Sequence, residues 1–532
     1  MNFKRIAWSV AAALAVPGFV HAEDESSLIN VYGHIALGVE KIEATGKTKF
    51  DGSEMLKVDP SANSVNFALY NRLDGLPQRT RVTDGISYIG FRGNQELGSG
   101  FTALYQIETA VKPDDGCGYV GCENGEISKP AGAKSARFAN RQSFVGLRNS
   151  SLGTLQYGRL DMYFDKHVPN EIHLLKSGAS STALSVLGYA FNSGASFGGY
   201  LPFISAAGAT SVLAAQGLPL ANAQVLGSQL KNFSQFALPF YNVGNRASNV
   251  VQYRTPSVKG LQAVLAYQVP EAKGAWYKGS DSYGQTFAGF DQNNSLCRYN
   301  EASPSQSLCL PGVLNQLSGA RNVRNDAKEL TIAYFPGWMF ASLAYLEEKD
   351  PIPLVAGGAI DKAYGIKGSL GFQVAEKIPL RLGVVYERQV NQFNANFANA
   401  IQALGAASDP NAARFSVGDA SRDTYVFAAS YKFTEAMELI GTWARAKDTK
   451  TFTGQVDQDS GATYIQATAL YNFSKRTNLF ATYAKVNNDK IAAYNFFINA
   501  AATSGSAQQA PFLQTPRGSD PTSIQVGVSH NF

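Results

Sequence analysis

The last nine residues, Ile524-Gln-Val-Gly-Val-Ser-His-Asn-Phe532, alternate apolar side chains with polar or small ones and end on an aromatic ring. Successive side chains of a β-strand point to opposite faces, so this stretch predicts a strand with one apolar and one polar face. The same alternation recurs in about sixteen segments from Val31 onward, without a long apolar helix. A transmembrane β-barrel has this pattern, because one face of each strand meets lipid and the other meets water.

The alternation predicts sixteen strands, at residues 28–40, 84–93, 101–111, 139–148, 153–161, 247–256, 260–269, 327–335, 338–347, 362–374, 378–389, 423–433, 437–447, 462–473, 477–487 and 522–532. Short turn-forming connections between them alternate with long ones, as in an antiparallel up-and-down barrel with brief periplasmic turns and long external loops. A barrel of that size is too wide for its own side chains to fill, so we expect an aqueous channel.

The composition agrees with an all-β wall that has no packed centre. Charged residues make up 16% of the 532 residues, whereas soluble domains average roughly 25%. Apolar residues make up 45% and are spread over alternating positions. Aromatic residues near the strand ends, such as Tyr431, Phe433, Tyr471, Phe473 and Phe532, are typical of an interfacial aromatic girdle.

Residues 1–22 have the features of a cleaved secretory signal peptide. Lys4 and Arg5 precede an apolar run at residues 6–16, and Val20-His21-Ala22 is a small-residue cleavage site. The mature chain, residues 23–532, is then expected to form a single barrel domain. Its formal net charge of about +3 is too small to indicate a nucleic-acid partner.

Four cysteines lie in two polar loops, at Cys117, Cys122, Cys297 and Cys309. An even number of cysteines in an exported protein indicates disulfides. Four cysteines can form two disulfides in three ways. We favour the arrangement with two local disulfides, Cys117–Cys122 and Cys297–Cys309. A zinc site is the alternative, but no histidine lies near Cys117-x4-Cys122.

The third long connection, about residues 162–246, departs from ordinary loop chemistry. Residues 177–230 contain no Asp, Glu, Lys, Arg or His. A neutral loop of this length is poorly suited to bulk water, and loops beyond about 15 residues are usually functional or disordered. We therefore expect part of it to fold into the lumen or to pack on a neighbouring subunit; a mobile low-complexity insertion is the alternative.

Nothing in the sequence predicts an enzyme, a cofactor or a metal site. A hydrolytic barrel needs a histidine paired with Asp or Ser, and no such partner can be identified for His34, which the alternation places in the lumen. His167, Glu171 and His173 are weak evidence for a metal site, and no phosphate-binding loop appears.

Five segments of the chain match the motifs of a known family. They are Ser87-Tyr-Ile-Gly-Phe-Arg-Gly-Asn-Gln-Glu-Leu-Gly-Ser-Gly-Phe101, Asn140-Arg-Gln-Ser-Phe-Val-Gly-Leu147, Leu155-Gln-Tyr-Gly-Arg159, Val250-Val-Gln-Tyr-Arg-Thr-Pro-Ser-Val-Lys-Gly-Leu261 and Val528-Ser-His-Asn-Phe532. These segments resemble the Gram-negative general diffusion porins, and most of all the neisserial and other β-proteobacterial branch. The resemblance implies a sixteen-stranded homotrimeric barrel in the outer membrane of a Gram-negative bacterium. It also implies that the third external loop folds inside to form a constriction.

In that family, arginines on the wall face acids on the inward loop. The resemblance assigns Arg141 and Arg246 to the wall, and Tyr88 takes the place of a third arginine. The acids available on the loop are Asp161, Asp165 and Glu171, of which we assign Asp161 and Asp165 to the constriction.

The alternation also predicts which wall residues face water. It places Arg92, Arg141, Arg246 and Arg254 in the lumen, because Ile89, Phe144 and Val251 then fall on the lipid face. Arg92 and Arg254 lie near the periplasmic turns and are expected to line a vestibule. Tyr88 is also expected to face the lumen. Arg159 shares the parity of Leu155 and Tyr157, so it faces the lumen only if the strand is irregular.

These features predict a channel for passive diffusion of small hydrophilic solutes and ions, with a weak preference for anions, surrounded by outer-membrane lipid. The alternatives are a substrate-specific channel, for which the aromatic residues of the neutral segment could form a stacking surface, and a surface adhesin built on the long loops.

Overall fold

The structure is a computed structural model. It describes residues 29–45, 76–84, 87–111, 139, 141–163, 197–199, 238–239, 245–270, 296–298, 308–310, 326–349, 360–375, 378–393, 419–450, 459–489, 492, 494 and 518–532. Several predictions concern residues outside these ranges. They are the signal peptide, nearly all of the neutral segment (residues 177–230), and Cys117, Cys122, Asp165, His167, Glu171 and His173. No helix long and apolar enough to cross a membrane occurs in the described ranges.

The wall consists of sixteen strands, if the two segments that share the second place are counted as one. Each strand overlaps a predicted strand. They are β1 Asn30–Thr45, β2 in two segments (Leu76–Asp84 and Tyr88–Gly98), β3 Phe101–Ala110, β4 Ser143–Asn149, β5 Gly153–Met162, β6 Asn245–Arg254, β7 Leu261–Gln268, β8 Asp326–Tyr334, β9 Met339–Lys349, β10 Ile360–Ala375, β11 Ile378–Phe393, β12 Ala420–Lys432, β13 Met437–Ala446, β14 Ala462–Asn472, β15 Thr477–Asn488 and β16 Asp520–Asn531.

The wall is closed. Each strand pairs antiparallel with the next, and β16 returns to pair with β1 from His34↔Asn531 to Thr45↔Asp520. Each described wall strand therefore has a hydrogen-bonded neighbour on both sides. Lipid contact requires this, because the bilayer core offers no water to bond free backbone groups. The prediction of a closed sixteen-stranded antiparallel barrel is confirmed.

The second strand position differs from the sequence-based expectation, which assigned residues 41–83 to a loop. Strand β1 continues to Thr45, and both segments of β2 pair with it: Leu76–Asp84 along its external half and Tyr88–Gly98 along its other half. At the break between the segments, Ser87 Oγ accepts the backbone N–H of Ala36 at 3.0 Å and lies 3.4 Å from the Ala36 carbonyl. A side chain thus replaces the missing ladder contacts, because bare backbone groups are costly at this depth.

The two faces of the wall separate as the alternation predicts. Large apolar side chains are exposed on the outward face, for example Val39 (56%), Val145 (61%) and Leu343 (58%). The inward face carries buried glutamine and threonine side chains: Gln106, Gln156, Gln252, Thr331, Gln389, Thr424, Gln466, Thr468, Thr482 and Gln525. A charged group on the outward face at mid-membrane depth would cost about 2–4 kcal/mol.

The end of the barrel with the short turns carries an aromatic band. Trp338 (65%), Phe433 (61%) and Phe473 (62%) are exposed there. The ring centroids of Tyr431 and Phe433 lie 4.8 Å apart, and those of Tyr471 and Phe473 lie 5.1 Å apart. These residues match the predicted girdle at the membrane interface.

Candidate functional site

Among the residues that the structure describes, two clusters of charged and aromatic side chains lie on the lumen face, on different sides of the barrel. The first, which we call the arginine–tyrosine cluster, comprises Tyr32 on β1, Tyr88 and Arg92 on β2, Glu108 on β3, and Arg141 just before β4. Strand alternation places the first four on the lumen face, since Val31, Ile89 and Ile107 face outward.

Within this cluster, Arg141 is fixed from two directions. Its Nε donates to Glu108 Oε1 at 2.5 Å, and its guanidinium carbon lies 4.5 Å from the centroid of the Tyr88 ring. The Arg141 side chain is 15% exposed and that of Glu108 is fully buried. Charge-assisted hydrogen bonds of this kind are stronger than neutral ones, so the Arg141 charge is held close to the wall.

Arg92 is arranged in a similar way on β2. Its guanidinium carbon lies 4.7 Å from the centroid of the Tyr32 ring, and the Tyr32 hydroxyl donates to Glu108 Oε2 at 3.1 Å. His34 stacks on Tyr88 with ring centroids 5.9 Å apart, and its Nδ1 lies 2.8 Å from Asn531 Oδ1. Two arginines are therefore stacked on tyrosines along one side of the lumen.

The prediction that Phe144 lies on the lipid face, from which the lumen position of Arg141 was inferred, is wrong. Phe144 faces the lumen rather than lipid, because its register partner on β3 is the buried Gln106, whereas Val145 is exposed outside. Arg141 precedes β4, so the period of two does not extend to it. It reaches the lumen through a bend in which its backbone N–H donates to the Glu108 carbonyl at 3.0 Å.

At the external ends of β5 and β6 the pairing is irregular. The register shifts between Gly158 and Leu160, and Gly158 has φ +149°, a conformation that favours glycine. Beyond the shift, Asp161 is 1% exposed, and Arg246 is its register partner. The Asp161 carboxylate interacts electrostatically with Arg141 and Arg254.

The strand irregularity that the lumen assignment of Arg159 required is therefore present. Arg159 Nη1 nevertheless donates to the exposed Ser248 Oγ at 2.9 Å. Arg254, near the opposite end of β6, lies on the lumen face, where its Nε donates to Gln252 Oε1 at 3.0 Å.

The second cluster, which we call the Tyr163 cluster, comprises Tyr163 immediately after β5, Glu329 on β8, Gly365 and Lys367 on β10, and Glu387 on β11. Lys367 Nζ donates to the Tyr163 carbonyl at 2.7 Å and lies 4.5 Å from the ring centroid. A Cβ on Gly365 would lie 2.8 Å from the Tyr163 hydroxyl. The start of the third long connection is thus seated on wall strands several positions away from β5.

Charges in the Tyr163 cluster are almost completely buried. Lys367, Glu387 and Glu329 are 0%, 1% and 4% exposed. Glu387 is the register partner of Lys367, and both acids interact electrostatically with this lysine. Removing one member of a buried group of opposite charges strongly destabilises a protein, because the remaining charges are left buried without compensation.

A related contact lies on β12. Arg422, 2% exposed, donates from Nη1 to the Tyr494 hydroxyl at 3.3 Å. Asn488 holds the Tyr494 backbone from both sides, since its Oδ1 accepts the Tyr494 N–H at 2.8 Å and its Nδ2 donates to the Tyr494 carbonyl at 2.9 Å. Residues of the last long connection are therefore also fixed to the lumen face.

Two further observations concern the connections. The backbone of Phe197–Gly199, within the predicted neutral segment, lies beside β12, although the connection leaves from β5 and returns on β6. In a separate short antiparallel pair, Leu296–Arg298 with Leu308–Leu310, Cys297 is the register partner of Cys309.

Sequence reasoning did not identify Glu108, Tyr32, Tyr163, Lys367 or Glu329 as site residues. The parity of β3 could have revealed Glu108, because it shares a face with Thr102 and Gln106. The position of Lys367 on the lumen face follows from alternation as well. Its contact with Tyr163 does not, since the two residues are 204 positions apart.

A family model of Gram-negative porins matches residues 7–491. The chain therefore belongs to the Gram-negative porin family, which places it in the outer membrane of a Gram-negative bacterium. The earlier resemblance is confirmed.

Particular relatives extend this finding. The chain is 34% identical to the major outer membrane protein P.IA of Neisseria meningitidis serogroup B over 146 residues, 26% of this chain and 29% of that protein. The matches to curated neisserial relatives thus span less than a third of their length. It is 22% identical to an outer membrane porin protein of Bordetella pertussis over 484 residues, 90% of this chain and 94% of the relative.

Among solved structures, the anion-selective porin from Comamonas acidovorans has a TM-score of 0.50 to this chain at 17% identity, covering 96% of this chain and 100% of that one. At this identity the likeness concerns the fold alone. Family membership favours a channel over an enzyme.

Proposed function

We propose that the chain forms a water-filled channel for passive diffusion of small hydrophilic solutes and ions across the outer membrane. The observation that carries this proposal is the closed wall of sixteen strands with an apolar outward face and a polar, charged inward face. A barrel of this strand number leaves an aqueous lumen, and a channel needs no reacting groups.

Arginines and acids facing one another define the narrow zone of this channel. Arg141 and Arg246 on the wall, with Asp161 and Asp165 near the start of the third connection, form its opposed charges; Arg92, Tyr88 and Arg254 line the lumen beside it. The electrostatic interaction of Arg141 with Asp161 and the backbone register that sets Asp161 opposite Arg246 support this assignment. Opposed charges orient permeant ions and dipoles.

The third connection narrows the lumen from inside. Two observations support this: Tyr163 is seated against Gly365 and Lys367 on β10, and the backbone of residues 197–199 lies beside β12. Both are contacts between this connection and wall strands far from β5 and β6, where the connection begins and ends.

Several further features belong to the same proposal. Three chains assemble as a homotrimer, as the family resemblance implies. Cys117–Cys122 and Cys297–Cys309 form disulfides within loops, and the register of Cys297 with Cys309 supports the second bridge. Residues 1–22 are removed on export. A weak preference for anions stays a prediction. The preference is expected to be weak because wall acids such as Glu108 and Asp161 offset the positive charge of the arginines.

Single-channel recording of the purified full-length chain in planar bilayers tests this function. We expect steady conductance that rises in proportion to salt, and a changed conductance when residues 177–230 are deleted. A small conductance blocked by one class of solute would indicate a substrate-specific channel instead. The absence of conductance would contradict the proposal and favour adhesion.

A further inference from the structure

The last long connection, residues 489–519 between β15 and β16, is tied to the wall where it starts. The Ala492 N–H donates to the Asp489 carbonyl at 3.1 Å, and the Gly518 N–H donates to the Ala492 carbonyl at 2.7 Å. The outgoing and the returning chain are therefore joined close to the strands. Ala492 and Tyr494 are both 0% exposed, so the start of this connection is packed rather than extended into solvent.

Asn488, the last residue of β15, fixes this start from the lumen face. Its Oδ1 accepts the Tyr494 N–H at 2.8 Å, and its Nδ2 donates to the carbonyls of Tyr494 at 2.9 Å and Ser519 at 2.7 Å. Asn488 is 0% exposed and shares its face with the buried Val486. Both polar atoms of the amide are thus used to place the Tyr494 backbone against the wall.

The Tyr494 side chain reaches from this anchor toward a strand three positions away. Its hydroxyl accepts a hydrogen bond from Arg422 Nη1 on β12 at 3.3 Å, and the guanidinium carbon of Arg422 lies 5.7 Å from the ring centroid. Neighbouring strands lie about 4.8 Å apart, so β12 and β15 are separated by about 14 Å along the wall. Tyr494 and Arg422 together therefore bridge β13 and β14 on the lumen side.

The strands beneath this bridge carry small side chains. One row of register partners runs from Thr424 on β12 through Ala446 on β13 and Ala462 on β14 to Asn488 on β15. Ala446 and Ala462 are 0% exposed, although they lie on the lumen face at the external ends of their strands. Both belong to the same cluster of buried apolar side chains as Tyr494. Alanine leaves room above the wall for an aromatic ring, and the ring in turn covers the alanines.

Arg422 lies on the lumen face, but its charge is covered. It shares its face with the buried Thr424 and is itself 2% exposed. Tyr494 lies over it, and the Glu387 carboxylate on β11 interacts with it electrostatically. A covered cation that is compensated by a nearby acid contributes little to the field that permeant ions meet.

We propose that Tyr494 is a specificity-determining residue. It holds the start of the last long connection over β12–β14 as a second inward element, and it keeps the charge of Arg422 out of the conducting path. The effect on ion selectivity rests on the proposed channel function, whereas the position of Tyr494 does not. Removing the Tyr494 ring would therefore widen the lumen at this place and add one positive charge to it.

The accessibility of Arg422 tests the position of Tyr494 without any measurement of permeation. The folded full-length chain in neutral detergent is treated with phenylglyoxal, which modifies accessible guanidinium groups, and modification of Arg422 and Arg92 is followed by peptide mass spectrometry. We expect Tyr494→Ala to raise the rate at Arg422 by at least about 10-fold, because loss of a buried aromatic side chain opens its surroundings. The rate at Arg92, in the arginine–tyrosine cluster, should not change.

Two further variants serve as controls for this measurement. Tyr494→Phe keeps the ring and loses only the hydroxyl that accepts from Arg422, so it should raise the rate at Arg422 much less. Tyr483→Ala removes a tyrosine that is 39% exposed on the outward face of β15, and it should leave Arg422 protected.

Channel recordings test the effect on selectivity. We expect Tyr494→Ala to raise the single-channel conductance and to shift the reversal potential under a salt gradient toward anions. The double variant Tyr494→Ala, Arg422→Gln should keep the higher conductance and lose the anion shift. Arg422→Gln alone should change the reversal potential little, because the charge that it removes is covered.

Equal modification of Arg422 in the wild-type chain and in Tyr494→Ala would overturn the proposal, and so would an equal gain in Tyr483→Ala. An anion shift that persists in the double variant would also overturn it, since Arg422 would then not be its source. Absence of conductance from the wild-type chain would contradict the proposed channel function instead. The modification rates at Arg422 would still decide whether Tyr494 covers this arginine.

Discussion

The two clusters in the lumen use the same types of residue in opposite ways. In the arginine–tyrosine cluster, Arg92 and Arg141 remain partly exposed and lie against tyrosines. In the Tyr163 cluster, Lys367 is 0% exposed and donates to the backbone of the connection that follows β5. The arginines on one side of the barrel therefore present their charge to the lumen. On the other side, the buried Lys367 holds the start of the third connection against the wall.

This difference has a physical basis. A partly exposed cation in water interacts with passing ions through a field that salt screens within about 10 Å. A fully buried cation is compensated by its own partners, here a carbonyl and two acids, and contributes little to the field in the lumen. Position in the wall does not by itself decide the role of a charge; its burial does.

The largest effect is expected from Lys367→Met. This change removes the donor to the Tyr163 carbonyl and leaves Glu329 and Glu387 without their lysine, at a cost of about 3–5 kcal/mol. We expect a lower unfolding midpoint in urea and a noisier single-channel current. Lys362→Met is the matched control, because Lys362 lies on the outward face of the same strand; an equal loss there would contradict the assigned role.

A smaller effect is expected from Gly365→Val. Its Cβ would lie 2.8 Å from the Tyr163 hydroxyl and 2.9 Å from the ring carbon that carries it. Overpacking of this kind typically costs about 1–3 kcal/mol, so we expect Tyr163 to move and the conductance to change. At Gly368 an added Cβ meets nothing within 4 Å; Gly368→Val should therefore leave the conductance unchanged.

The arginine–tyrosine cluster should respond in selectivity, and Arg141→Gln should also lower the unfolding midpoint because the Glu108 side chain is fully buried. Arg141→Gln leaves Glu108 without its cation and should shift the reversal potential under a salt gradient toward cations. Glu108→Gln should shift it toward anions. The double variant restores the net charge and should return close to wild type. Single variants that shift the potential in the same direction would contradict this account.

The smallest effect concerns the break in β2. Ser87→Ala removes the hydroxyl that bonds the Ala36 backbone, and we expect a loss of about 1 kcal/mol in the free energy of unfolding. Conductance and selectivity should not change. Ser257→Ala, in an exposed short turn, provides the control, and an equal loss there would show that the contact carries no specific stability.

Alternation along the sequence predicts the wall well, because each strand is constrained by lipid outside and polar groups inside. It fails where the chain leaves the regular strand. Arg141 lies in a bend, so the parity argument placed Phe144 on the wrong face. The first segment of β2, Leu76–Asp84, was missed because its polar sequence resembles a loop.

The site could be predicted only in part for a related reason. Arg92 and Arg254 lie on regular strands, where the period of two determines their face. The contact between Tyr163 and Lys367 joins a connection to a strand that is distant in the sequence. No local pattern encodes such a contact, since it depends on how the closed wall brings β5 and β10 around one lumen.

The central claim is that the exposed side sets ion selectivity and the buried side does not. Reversal potentials of Arg92→Gln and Lys367→Met, measured under the same salt gradient, test it most directly, because each change removes one positive charge from the lumen face. We predict a clear shift toward cations for Arg92→Gln and a much smaller one for Lys367→Met. Equal shifts, or a larger shift for Lys367→Met, would contradict the account.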